Sequence, residues 1–350
     1  MQNLQDDRRF SLKGPMPRTL AITGATGFIG AALMRKLTAG GWHVRALYRS
    51  RTGARPEGHV DWIRGSLADA ESLARLVQGA EVIVHCAGAV RGASQEQFDR
   101  VNIEGVLRLA QAARRSHPMP RFLLISSLAA RTPQLSFYAT SKRGGEDALR
   151  TAAQGMVWSA LRPPAVYGPG DREMRPLFKA MQRGVAPVLG RPEARFSLLY
   201  VEDLAGAVRH IVDGPHWDIG PFELHDGHSG GYSWREVMDT FARIVGRPVL
   251  QVRVPAAALN AIASINQALA RLMGYPPMLT PGKIRELTHP DWVCNDAPFR
   301  NFTGWQPSIS LEEGLKLTLE SFKAPRPQAV FEEGAEWLPQ CTGTNYAGLR

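Results

Sequence analysis

Short unbroken apolar runs alternate with segments of helical period from Arg18 onward. Thr19-Leu-Ala-Ile-Thr23 predicts a buried strand, Phe28 to Ala39 a helix and His43 to Tyr48 the next strand. Further along, Leu73 to Val77 marks a helical face, Glu81 to His85 a strand, Asn102 to Arg115 one long helix, and Arg121 to Ser126 another apolar strand. Runs that stay apolar at successive positions suit a parallel sheet covered on both faces. Repeated strand–helix units with right-handed crossovers therefore predict an α/β fold, a doubly wound parallel Rossmann sheet.

The same pattern divides the chain. Residues 1–17 read as a loose arm, 18–166 as the Rossmann domain, 167–324 as a smaller C-terminal lobe, and 325–350 as a tail. Inside the lobe, Ser197-Leu-Leu-Tyr-Val201 and the helical stretch after it, residues 196–213 together, read as a strand and helix returning to the main sheet. From Val254 to Ala270 no side chain is charged, and Leu259, Ile262, Ile265, Leu269 and Leu272 recur at helical spacing. Such a stripe reads first as core. The alternative is an amphipathic helix that roofs an apolar channel or rests peripherally on a membrane, aided by positive charge.

Composition narrows the class. The 350 residues are 44% hydrophobic, enough for a substantial core, and carry a formal charge of +10. The cations are spread out, with no basic tract interleaved with aromatics, so nucleic acid is not an expected partner. Cys86, Cys294 and Cys341 are too few and too far apart for a disulfide framework or a metal site, which suits a reducing cytoplasmic setting. Arg8-Arg9-Phe10-Ser11-Leu12-Lys13 resembles a twin-arginine export signal, but Gly14-Pro15-Met16-Pro17 follows where an apolar segment belongs. No run approaches the roughly 20 apolar residues of a membrane span.

The candidate chemistry begins between the first strand and the first helix, where Gly24, Gly27 and Gly30 recur at three-residue spacing. Glycines there allow a tight turn and let the helix N-terminal amides approach a pyrophosphate, so Gly24, Thr26, Gly27, Phe28, Ile29 and Gly30 form a candidate dinucleotide loop. The second strand ends in Tyr48-Arg49-Ser50-Arg51, with no carboxylate to accept from a ribose 2′-hydroxyl. Arg49 and Arg51 instead offer donors to a 2′-phosphate, favouring NADP(H). Tyr138 and Lys142, four residues apart, share a helix face; a nearby ammonium, helped by an oxidised nicotinamide ring, stabilises phenolate and lowers a tyrosine pKa, and in reduction the same tyrosine is the proton donor. Ser126-Ser127 closes the preceding strand, where a hydroxyl can hold a substrate oxygen.

These motifs run in order with Val84-His85-Cys86-Ala87-Gly88, Val101-Asn102, Arg162-Pro163 through Tyr167-Gly168-Pro169-Gly170-Asp171, and Val201-Glu202-Asp203. From about Arg18 to Trp305 the chain thereby resembles the extended short-chain dehydrogenases/reductases, the NAD-dependent epimerase/dehydratase family. The resemblance implies that Ser127 polarises the substrate oxygen, Tyr138 is the general acid/base, and Lys142 also bonds the nicotinamide ribose. It implies further cofactor contacts at Ser66, Leu67, Ala87, Gly88, Asn102, Pro163 and Val166, and a homodimer paired through helices. Asp171 and Asp203 read as structural.

Departures from the family pattern select the substrate. Gly65-Ser66-Leu67 stands where relatives carry Gly-Asp-Leu, removing a carboxylate near the adenine. Ala165 replaces the asparagine of sugar-nucleotide enzymes, and Leu128-Ala129-Ala130 replaces the Asp-Glu pair of dehydratases. The pattern is nearest to the hydroxysteroid dehydrogenase and ketolipid reductase branch; bacterial ceramide reductases are one resemblance within it. The expected activity is NADP(H)-dependent hydride transfer to or from a ketone or secondary alcohol on a small hydrophobic, lipid-like substrate. A nucleotide-sugar epimerase or dehydrogenase and a non-catalytic NADP-binding accessory subunit remain as alternatives.

Overall fold

Seven strands, all parallel, form the central sheet: β1 (Thr19–Thr23), β2 (His43–Tyr48), β3 (Val60–Arg64), β4 (Val82–His85), β5 (Arg121–Ile125), β6 (Trp158–Arg162) and the short strand Pro221–Glu223. Their order is β3-β2-β1-β4-β5-β6 followed by Pro221–Glu223, the doubly wound arrangement the alternating pattern predicts. The computed structural model describes residues 18–49, 59–191, 193–215, 217 and 220–323. The expected arm at 1–17, Ser50 and Arg51, Cys341 and the tail at 325–350 lie outside the described residues.

Successive side chains of each strand feed opposite cores. Leu20, Ile22, Val82, Val84, Leu123 and Ile125 pack on one face with α1 (Phe28–Ala39) and the helix Val201–Asp213. Ala21, Ile83, Phe122 and Leu124 pack on the other with α2 (Ala70–Val77), α4 (Glu104–Arg115) and α5 (Phe137–Ala152). Burial on both faces explains why these strands read as continuous apolar runs. A third core, with Tyr167, Phe178, Tyr200, Tyr232, Phe241 and Leu315, holds the lobe.

One expectation is refined and one corrected. The helix expected from Asn102 to Arg115 is α4, which starts two residues later, and Asn102 instead closes a separate helix, α3 (Gln95–Asn102). From there Asn102 turns its side chain onto the loop after β4, as described below. The strand Leu198–Tyr200 does not join the main sheet; it pairs with Ala165–Tyr167, Tyr200 opposite Tyr167, because both rings belong to the lobe core. Only the helix after it returns, packing with α1. The seventh place is taken by Pro221–Glu223 beside β6, three residues too few to show a period.

Candidate active site

The strand order reverses between β1 and β4, and the candidate residues gather at the carboxyl ends of the strands there, the usual ligand side of such a sheet. Gly24 adopts φ +73°, and a Cβ on it would lie 2.5 Å from the Ala87 nitrogen. A Cβ on Gly30 would lie 1.9 Å from the Gly24 carbonyl oxygen. Gly27 N-caps α1 without any side-chain cap, and no acidic residue occupies the first turn. Thr26 and Gly27 are exposed, while Phe28 and Ile29 pack against the core. The result is a backbone cradle at a helix N-terminus, which fits a pyrophosphate in both space and dipole.

Arg49 stands exposed just beyond β2. Ser66 Oγ accepts from Ala68 N at 3.2 Å, and Leu67 packs closely on Gly105 of α4. Asp69, the nearest downstream carboxylate, caps α2 by accepting from Glu71 N at 3.1 Å. A hydroxyl at Ser66 is therefore what the chain offers in place of the family's acid.

The loop after β4 is stitched from both sides. Ala87 N donates to Thr23 Oγ1 at 3.3 Å, and Ala89 N donates to Asn102 Oδ1 at 2.8 Å. Asn102 Nδ2 donates in turn to Ala89 O at 3.0 Å and to Ser141 Oγ at 2.8 Å, so this amide joins the loop to α5. Gly145 permits the approach, since a Cβ there would lie 2.3 Å from Asn102 O. Gly88 lies over Asn102 and Lys142: its Cβ would come within 3.3 Å of Asn102 Oδ1 and 3.8 Å of Lys142 Nζ. Beneath them His85 bonds Thr23 Oγ1 at 2.7 Å; burial, helped by the Lys142 charge, pushes its pKa down to about 3 and keeps it neutral. Burial also pushes the Cys86 thiol up to about 12, an inert thiol rather than a nucleophile.

Ser136 caps α5 by accepting from Ala139 N at 2.9 Å, which sets Tyr138 in the first turn and Lys142 one turn later. Ser127 stands near enough to Tyr138 for its hydroxyl to favour the phenolate, and Ser127 Oγ accepts from Ala129 N at 3.2 Å. Lys142 Nζ donates to Ile125 O at 2.8 Å, inside the protein. Burial pulls the lysine down to about 8, against the opposing field of the Glu146 carboxylate. The adjacent serine diverges: Ser126 Oγ donates to Glu146 Oε1 at 2.5 Å, and Arg162 donates to both Glu146 oxygens at 2.8 and 2.5 Å. Ser126 is thus tied into a buried network, which leaves Ser127 as the candidate beside Tyr138. Pro163 O accepts from Leu128 N at 2.9 Å, tying β6 to the Ser127 turn, and Val166 packs on the core next to it.

Burial pushes Tyr138 up to about 12, with Ser127 opposing and the Glu286 carboxylate adding, so the tyrosine is poised as a proton donor.

Glu286 is the residue that the sequence did not reveal. The helix Pro281–Leu287 lays its first turn against the α5 cap, close enough that a Cβ on Gly282 would lie 2.9 Å from Ser136 Cβ. Ser136 Oγ donates to Glu286 Oε1, and Lys283 Nζ donates to Glu286 Oε2 at 2.9 Å. Lys283 Nζ also lies 5.9 Å from the Tyr138 ring centroid. In sequence, Lys283 and Glu286 look like a solvent-facing helical pair; only their partner on α5 distinguishes them. Asp171 and Asp203, by contrast, make loop contacts, accepting from Glu173 N at 2.8 Å and Ser308 Oγ at 2.7 Å. Among the described residues no cluster of His, Cys, Asp and Glu could hold a metal ion.

Comparison with known proteins adds a family to this geometry. A model of the NAD dependent epimerase/dehydratase family matches residues 20–220. The ceramide reductase of Caulobacter vibrioides (strain NA1000 / CB15N) is 38% identical over 325 residues, covering 92% of this chain and 96% of that protein. The 2-alkyl-3-oxoalkanoate reductase of Stenotrophomonas maltophilia (strain K279a) is 28% identical over 326 residues, covering 85% of this chain and 97% of that protein. Among solved structures, the UDP-glucose 4-epimerase of Thermotoga maritima, determined with UDP-glucose, superposes with a TM-score of 0.68 at 23% identity, over 87% of this chain and 98% of that one. At that identity the last match speaks to fold alone.

Proposed function

The chain belongs to the NAD dependent epimerase/dehydratase family as an NAD(P)-dependent oxidoreductase of the extended short-chain type, and we propose that it reduces a ketone on a hydrophobic, lipid-like substrate using NADPH. The observation that carries this reading is Tyr138 one turn before the buried Lys142 on α5, with Lys142 Nζ held on Ile125 O at the end of the strand that leads to Ser127. When bound, the nicotinamide supplies the hydride in reduction and accepts it in the reverse direction. Tyr138 gives its phenolic proton to the carbonyl oxygen, which becomes the alcohol hydroxyl. Ser127 donates to the same oxygen as charge develops on it. The Lys142 ammonium stabilises the phenolate left behind, and the same residue is assigned to the nicotinamide ribose.

The glycine cradle, with Asn102 and Gly88 at the β4 exit, is assigned to the dinucleotide, and Arg49 to the 2′-phosphate of NADP(H). Arg49 supports that choice because a carboxylate at this point would repel the phosphate. Ala165 and Leu128-Ala129-Ala130 supply no polar group for a nucleotide sugar or for elimination of water. The names of the two reductase relatives point to a ketolipid or an oxoalkanoate in preference to a sugar.

Incubating the protein with NADPH and parallel panels of ketolipids, ketosteroids and nucleotide sugars, while following reduced-nicotinamide absorbance, tests the reading. Consumption with a ketolipid or ketosteroid is expected. Turnover confined to nucleotide sugars would overturn the substrate class, and faster turnover with NADH would overturn the cofactor.

A further inference from the structure

The helix Ala256–Met273 exposes its large apolar residues, the reverse of a water-facing surface. Three of its polar side chains tie it to the protein: Gln267 Nε2 and Arg271 Nε donate to Ala93 O at 3.0 and 3.3 Å, and Asn266 Nδ2 donates to Leu279 O at 2.8 Å. The side chains buried beneath it are small, Ala263 and Ala270. Its large apolar residues face away. Ile262 is 56% exposed, Ile265 62%, Leu269 46%, Leu272 84% and Met273 71%, and their spacing sets them on one face. Leu250, 66% exposed, and Val252 are further exposed apolar residues on the strand Leu250–Arg253 just upstream. The stripe is therefore not core, and a row of large exposed apolar residues on one helix face marks an interaction surface.

Charge identifies the partner. From Thr240 to Arg285 the chain carries Arg243, Arg247, Arg253, Arg271, Lys283 and Arg285 and neither Asp nor Glu. Arg243 and Lys283 meet Glu312 and Glu286 from outside that stretch, while Arg247 and Arg253 are exposed on either side of Leu250 and Val252. A second copy of the same surface would bring like charges together. A bilayer with anionic headgroups offers acyl chains to the stripe and negative charge to its flanks. No helix among the described residues is long and apolar enough to cross a membrane, so the contact is interfacial.

We infer that the helix Ala256–Met273 is a docking surface for an anionic lipid bilayer, with Ile262, Ile265, Leu269 and Leu272 entering the boundary between headgroups and acyl chains. The two bonds to Ala93 fix this helix on the segment that leaves β4 past Gly88, so docking holds the candidate site close to the bilayer. The inference goes beyond the reductase reading and does not depend on it, because binding is measured without turnover.

Co-sedimentation of the full chain with vesicles tests it, using phosphatidylcholine alone or in equal parts with phosphatidylglycerol. The wild-type protein is expected to sediment with the anionic vesicles and to be released by added salt. The I265E/L272E double variant is expected to lose on the order of tenfold or more in partitioning, and R247E/R253E roughly fivefold or more. Unchanged thermal melting of both variants shows that the fold is kept. Wild-type protein left in the supernatant, equal binding to the two vesicle types, or I265E/L272E sedimenting like wild type would each overturn the inference. So would a lipid-free oligomer that I265E/L272E converts to single chains, because a second copy would then cover the stripe.

Discussion

On the sheet side of Tyr138, Gly24, Ala87, Ser127 and Pro163 follow the ends of adjacent parallel strands, so backbone pairing fixes their spacing. On the lobe side, Lys283 and Glu286 arrive on a seven-residue helix held to α5 by side chains and one close glycine contact. The first wall is a consequence of topology; the second depends on a few long-range contacts. Geometry that topology dictates should resist substitution at its surface and fail at its buried supports. Geometry made by side chains should be adjustable.

The largest expected effect therefore lies under the sheet-side wall. Arg162 and Glu146 are a buried ion pair with Ser126 attached, and Arg162→Ala strands the Glu146 charge. A loss of about 3–5 kcal/mol is expected, read from the urea midpoint. Lys283→Ala on the lobe side, where the lysine is partly exposed and Ser136 still bonds the buried Glu286, should lose less, about 1–3 kcal/mol. Equal losses for the two would erase the distinction between the walls.

Next comes chemistry. Tyr138→Phe should lower turnover at least about 10²-fold while leaving cofactor affinity unchanged, the loss expected when a general acid is removed. Wild-type turnover in that variant would remove Tyr138 from the reaction. Arg49→Asp follows: replacing a charge-assisted donor with a repelling carboxylate should weaken NADPH binding by roughly 10- to 100-fold and NADH binding far less. Parallel fluorescence titrations of the two cofactors decide it, and equal weakening would end the assignment of Arg49 to a 2′-phosphate.

How much was legible in the sequence follows the same division. The buried strands, the glycine turn and the Tyr138/Lys142 spacing are local signals, and they sit in the structure where the pattern predicts. The helix Glu104–Arg115 was legible to within two residues, but the partners of Asn102 just before it were not, because Ala89 and Ser141 are distant along the chain. Leu198-Leu-Tyr200 looked like a sheet strand because apolar runs do not say which sheet they join. The stripe at 262–272 has the period of a core helix, and period alone does not say which face turns inward. Hydrogen bonds from Gln267 and Arg271 to Ala93 decide that.

The smallest expected effect is also the sharpest test of the lobe-side wall. The Glu286 carboxylate adds to the burial that keeps Tyr138 protonated up to about 12, and it reaches the tyrosine's helix through the Ser136 cap. Glu286→Gln keeps a hydrogen-bond acceptor for Ser136 and removes the charge. A negative charge disfavours phenolate, so its removal must lower the Tyr138 pKa. In alcohol oxidation, where the phenolate is the base, the rising limb of the pH–rate profile should then move to lower pH. In ketone reduction, where the phenol is the acid, the falling limb should move the same way. A purely structural role for Glu286 predicts a lower rate with both limbs in place, because a misplaced tyrosine keeps its titration. Glu286→Ala, which removes charge and acceptor together, should show both effects. Limbs that stay put in Glu286→Gln would mean that the lobe only braces the catalytic helix; limbs that move would show that it also sets the proton affinity of Tyr138.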